Sequence, residues 1–145
     1  MTRIFFVVML SFLLQACATN SMSSKQKIEA YNQFIEKHQL EEVDRIRSFK
    51  FDQWSSLGKQ HLILYRRFNE PYLITLTRPC YDLDFAQAIG VSYKGSTLMA
   101  NFDYITVPAD IPVKCFIQHI HKIDKTQKKQ LQQIGRESEQ EEKQA

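Results

Sequence analysis

The sequence has no excess of one charge sign, no apolar run long enough to cross a bilayer, and no cysteine pair or nucleophile motif of a familiar reaction. Nineteen Lys and Arg stand against sixteen Asp and Glu, and the basic residues are scattered. Lys128 and Lys129 are soon followed by Glu137, Glu139, Glu141 and Glu142. Such a chain offers no basic footprint for nucleic acid. Its main apolar run, residues 4–14, is well short of the about 20 residues that span a hydrocarbon core. No G-x-S-x-G elbow is present, and the three cysteines include no C-x-x-C spacing. No enzyme activity and no cofactor are expected from these patterns.

What the amino terminus does contain is an address. Arg3 and the free amine form a positive region, residues 4–14 an apolar one, and small Ala16 precedes a cysteine. This Leu14-Gln15-Ala16-Cys17 box resembles that of a bacterial lipoprotein precursor. The resemblance implies that residues 1–16 are a signal peptide and that Cys17 becomes the first mature residue, carrying a diacylglyceryl group on its thiol and an acyl chain on its amine. One acyl chain holds a protein only marginally, at about 0.8 kcal/mol per buried methylene, whereas three make attachment effectively permanent. Ala18 stands where an inner-membrane retention signal shows Asp, which by resemblance implies the outer membrane, on its periplasmic face. The rival is an ordinary signal peptide cut near Ala16 or Ala18.

With the leader removed, the remainder has the size of one domain. Cys80 and Cys115 are then the two thiols left in an oxidising compartment, so a structural disulfide between them is expected, with a redox or metal site as the alternative. Residues 17–23 read as a lipidated, small and polar tether. Ser23 with Gln26 resembles a capping box, and Ile28, Tyr31, Phe34, Ile35 and Leu40 recur at helical spacing, predicting a helix over about 24–40.

From Arg45 the pattern changes to short β-branched and aromatic runs. Strands are expected over 46–54, 61–68, 72–77, 88–93, 98–107 and 113–121, divided by turn residues such as Leu57-Gly58-Lys59 and Lys94-Gly95-Ser96. Short connections demand antiparallel neighbours. The expected class is α+β, with an N-terminal amphipathic helix packed on a curved antiparallel meander or small β-barrel of about six short strands. Residues 81–87 read as a loop with one helical turn. The helix and strands together make a domain over 24–123. Residues 124–145 read as a polar tail, disordered or a frayed helix, because only Leu131 and Ile134 are available for burial. Those two would anchor it if a partner ordered it.

Candidate chemistry is sparse. His119 and His121, two apart on a strand, share one face and are weak candidates for metal ligands, with Cys115 on the same face by parity. The plainer reading is two solvent-facing histidines that titrate near neutral pH. Asp82, Asp84 and Asp103 are a weak calcium or acid–base constellation, with helix caps and Asx turns as the plainer reading. Trp54 and the six tyrosines would line a ligand groove or serve as core and cross-strand pairs.

The order of landmarks carries a second resemblance. Phe51-Asp52-x-Trp54, His61-Leu62-Ile63-Leu64, Pro71-Tyr72-Leu73-Ile74-Thr75-Leu76, Cys80-Tyr81-Asp82-Leu83-Asp84-Phe85-Ala86, Ala88-Ile89-Gly90, Phe102-Asp103 and Cys115 are similar to a family of small, uncharacterised lipoproteins and secreted proteins of Gram-negative bacteria, a domain of unknown function. It covers residues 46–123, leaving leader and tail outside. The resemblance implies an envelope location and paired cysteines, and no activity. Two readings follow. One is a non-catalytic binding or assembly module anchored through Cys17 and binding another envelope protein or a small ligand. The other is a periplasmic metal-binding protein or hydrolase using the loop carboxylates or strand histidines.

Overall fold

A computed structural model describes residues 22–109 and 111–143. The expected leader, Cys17 and residues 18–21 of the tether lie outside the described residues. Helix α1 (Ser24–Lys37) opens with the expected capping box: the Ser23 hydroxyl accepts from the Gln26 amide, and the Gln26 side chain accepts from the Ser23 amide. It buries Tyr31 and Phe34. It ends three residues earlier than its apolar spacing suggests, where Gln39 takes a left-handed φ of 45° and returns Leu40 to the core.

The strands are β1 (Glu41–Glu42), β2 (Arg45–Arg47), β3 (Phe51–Ser56), β4 (His61–Arg66), β5 (Glu70–Leu76), β6 (Gly90–Val91), β7 (Thr97–Met99), β8 (Tyr104–Val107) and β9 (Val113–Lys122). Six of them form a nearly closed, barrel-like antiparallel sheet in the order β3-β4-β5-β9-β8-β6, with β1 added to β9. The class is α+β as expected, but the sheet is not a simple meander. After β5 the chain leaves through residues 77–89, and the last strand, β9, fills the place between β5 and β8.

Two of the expected strands are each broken by one residue. Ser48 (φ 52°) separates β2 from β3, and Asn101 (φ 64°) separates β7 from β8. An L-residue in this left-handed region cannot continue a strand. The severed halves, β2 and β7, pair with each other as a separate two-stranded ribbon.

Strands β4 and β5 are buried on both faces, which is why they read as continuous apolar runs. Leu62, Leu64, Tyr72, Ile74, Leu76, Ile105, Val107, Ile117 and Ile120 fill the interior of the sheet, closed by Ile46 and Leu98 of the ribbon. Ile63 and Leu73, on the opposite face, pack under Tyr31, Phe34 and Leu40.

This second core changes the reading of the tail. Residues Lys125–Lys143 form a helix, α2, started by a reciprocal cap in which the Gln127 amide donates to Asp124 and the Asp124 amide to Gln127. Leu131 is fully buried against the α1 side of the sheet, with Ile134 packed beside it. The expected boundary at Ile123 therefore falls before the packing ends, because two apolar residues suffice when a partner helix already offers Tyr31 and Phe34. Leu131→Ala should destabilise the protein by about 2–5 kcal/mol, and ending the chain at Ile123 should lower its melting temperature. Calorimetry checks both, and unchanged melting would contradict the docking of α2.

Cys80 and Cys115 are joined, with Cα atoms 6.0 Å apart. The bond ties the 77–89 loop to the start of β9 and closes a loop of sequence separation 35, about 4 kcal/mol in the chain-entropy account. Cys80→Ser and Cys115→Ser should lose closely similar stability, about 2–5 kcal/mol, in chemical unfolding. A marked difference between the two would contradict a purely shared bond.

Candidate functional site

The richest polar constellation lies on the helix-facing side of the sheet. Cross-strand register sets His61 opposite Thr75 and Thr75 opposite His119, while Leu73 stands opposite His121 and His121 opposite Glu42. Partners in register share a face, so three histidines and one carboxylate line the surface on which α1 lies. The Tyr31 ring of α1 is 5.2 Å from that of His61. His119 pairs with Glu42 through Nδ1 and Oε1 at 2.6 Å, and its ring is 6.1 Å from that of His121.

His119 and His121 thus share a face as expected, but they are not both solvent-facing. His121 is buried, and His119 is occupied by Glu42. Cys115 is not with them. Leu76 pairs with Ile117 while the next residue of β5, Thr75, pairs with His119, so Gln118 is an extra residue in β9. This bulge reverses the parity of everything before it. Cys115 consequently points into the interior core and into its disulfide. Among the described residues no group of three or more His, Cys, Asp or Glu is placed to hold a metal ion.

His61 and Glu42 were not singled out by sequence reasoning. His61 stands first in an apolar run, and only the pairing with Thr75 reveals its company. It is 1% exposed, and among the described residues neither ring nitrogen has a hydrogen-bond partner; the same holds for Thr75 Oγ1 and His121 Nδ1. Burial pushes the His61 pKa down to about 4, with the nearby His121 adding to the effect. Burial also lowers that of His121, against the pull of Glu42. Glu42 is held below the usual carboxylate range by its hydrogen bond to His119. Burial therefore favours the neutral imidazole at His61 and His121.

The carboxylates do not converge. Asp103 is buried and accepts hydrogen bonds from the Met99 amide at 2.7 Å and the Ser92 hydroxyl at 3.2 Å, which bend the chain from β7 into β8. Asp84 accepts from Ser56, on the β3 side of the molecule. Asp82 accepts the Phe85 amide through its backbone carbonyl, in the tight turns of the 80–86 segment. Among the described residues these three aspartates make separate local or tertiary contacts and form no group placed to hold a metal ion. The aromatic residues line no common groove either: Trp54 packs against the interior core, Tyr31 belongs to the helix layer, and Tyr81 is exposed.

Acid should open the helix layer. The folded chain releases the His61 proton at about 4 and the unfolded chain at the ordinary 6.5, so between these values the unfolded state binds more protons. Stability is complete above pH 6.5 and falls as the pH drops toward 4, by about 3 kcal/mol from this group. His61→Leu should flatten that slope in urea unfolding at stepped pH. A slope unchanged by the substitution would contradict the buried neutral imidazole.

No curated protein and no solved structure matches the chain. A family model matches residues 1–139, a span that takes in the apolar amino-terminal run and most of α2 as well as the 46–123 landmarks. The chain therefore belongs to DUF6491, a family of unknown function.

Proposed function

We propose that the protein is a lipid-anchored component of the Gram-negative envelope, acylated at Cys17 and held on the periplasmic face of the outer membrane, where its folded domain acts as a non-catalytic binding or assembly module. The observation that carries this reading is the pairing of Cys80 with Cys115. A stable disulfide suits an oxidising compartment. It also leaves Cys17, of the three cysteines, as the thiol available for modification, directly after the apolar run and Ala16.

Three of the residues that a hydrolase or metal protein would use are committed to other contacts. Asp103 is spent on two internal hydrogen bonds, Cys115 on the disulfide and His119 on Glu42. A module that works by contact needs none of them.

Cys17→Ser should release the protein from membranes, and the native chain should show acyl mass at residue 17. Fractionation with mass spectrometry of the mature amino terminus checks both. An unmodified residue 17 on a membrane-bound chain would overturn the anchor.

A further inference from the structure

One end of the sheet carries a rim of exposed apolar side chains. Phe85 is 83% exposed, Ile111 80%, Tyr81 72% and Val113 45%. They come from two segments, the 80–86 turns and the β8–β9 hairpin. These are tied together by the Cys80–Cys115 bond, and Phe85 and Ala86 share a cleft with Val107 and Pro108. Large apolar side chains grouped on loop tips mark a contact surface. A basic residue meets it directly: Lys59 Nζ lies 5.3 Å from the centre of the Tyr81 ring, while Arg78 stands two residues before Cys80 and Lys114, next to Cys115, holds its ammonium over the Tyr104 ring. Asp82 and Asp84 are the carboxylates on the same loop, with Asp84 bound to Ser56.

The start of α1 identifies what this rim meets. At the β3–β4 turn, the Cβ direction of Gly58 points to within 3.9 Å of both Lys27, in the first turns of α1, and Asp84, next to Phe85. The amide of Cys80 donates to the carbonyl of Lys59 in that same turn. The amino-terminal connection therefore enters the domain at the rim end, opposite the β4–β5 turn at Arg67–Asn69. Six residues, 18–23, separate Cys17 from Ser24, and even fully extended they reach only about 20 Å.

We infer that the rim of Tyr81, Phe85, Ile111 and Val113 docks into the bilayer that holds the acylated Cys17, so that the domain lies on the lipid surface. The inference rests on the proposed anchor. Protruding apolar and aromatic tips beside Lys and Arg suit an interface of acyl chains below and anionic headgroups above. The short tether supplies the rim at high effective concentration, so a few inserted side chains suffice. Docking fixes which side of the domain faces the periplasm: the β4–β5 turn and the carboxyl-terminal end of α1 are presented outward.

The test uses the full chain purified from membranes and reconstituted into phosphatidylethanolamine–phosphatidylglycerol vesicles whose acyl chains carry bromine. Tryptophan is placed at the rim (Phe85→Trp) or at the far turn (Asn69→Trp), each read against the parent with Trp54 alone. The added emission should shift to the blue and be quenched for Phe85→Trp and stay unquenched for Asn69→Trp. An unquenched rim tryptophan overturns the docking, including one shifted to the blue without quenching, which would mean contact with a second copy of the chain. Mass spectrometry of residue 17 judges the anchor separately, so an acylated chain with an unquenched rim refutes the docking alone.

Discussion

Strand β9 has both of its edges occupied, and the rest of the structure depends on that. Along one edge it pairs with β5 from Ile117 to Lys122. Along the other it pairs first with β8, from Val113 to Phe116, and then with β1 at His121 and Lys122. No short turn could put a strand from the end of the domain there; it follows from β5 leaving an edge open when the chain departs through 77–89. The bulge at Gln118 then rotates the two halves of β9 relative to each other. Before it, Cys115 and Ile117 point inward; after it, His119 and His121 point to the helices while Ile120 returns to the interior.

Two cores of different character result. The interior core is mostly aliphatic, with Phe49 and Tyr72 among its buried residues, and is stapled by the disulfide. The outer layer joins α1 and α2 to the sheet through Tyr31, Phe34, Leu131, Ile63 and Leu73, and the His61 ring and Thr75 hydroxyl beneath it have no hydrogen-bond partner among the described residues. A buried polar atom lacking a partner carries a desolvation penalty, and protonating His61 there would bury a charge. The helix layer is thus the part of the fold that acidity weakens first.

Much of this was legible in the sequence. The capping box at Ser23 and Gln26, the positions of β4 and β5 to within two residues, the paired cysteines and the α+β class all followed from local chemistry, spacing and cysteine count. Local rules failed where a single residue or a distant partner decided. Ser48 and Asn101 adopt left-handed conformations that propensity does not announce for Ser, and each cuts an apparent strand in two. Gln118 is indistinguishable from an ordinary strand residue until its register against β5 is known, so parity misplaced Cys115. Leu131 and Ile134 looked too few to order a helix, and were enough because α1 already presented its face. The sites met the same limit: His61 carries no motif, and Asp103 resembled a ligand until its partners were Met99 and Ser92.

Structure and proposed role meet in one arrangement: the disulfide braces the loops that carry the exposed rim, and β9 ties those loops to both cores. Native-state hydrogen exchange measured residue by residue tests that central part most directly. The account predicts that the amides of β9 around Ile117 and Ile120 exchange only through global unfolding, while those of α1 and α2 open through a smaller free energy that shrinks in acid. Exchange from β9 as fast as from the helices, or faster, would contradict the claim that this strand holds the two layers together.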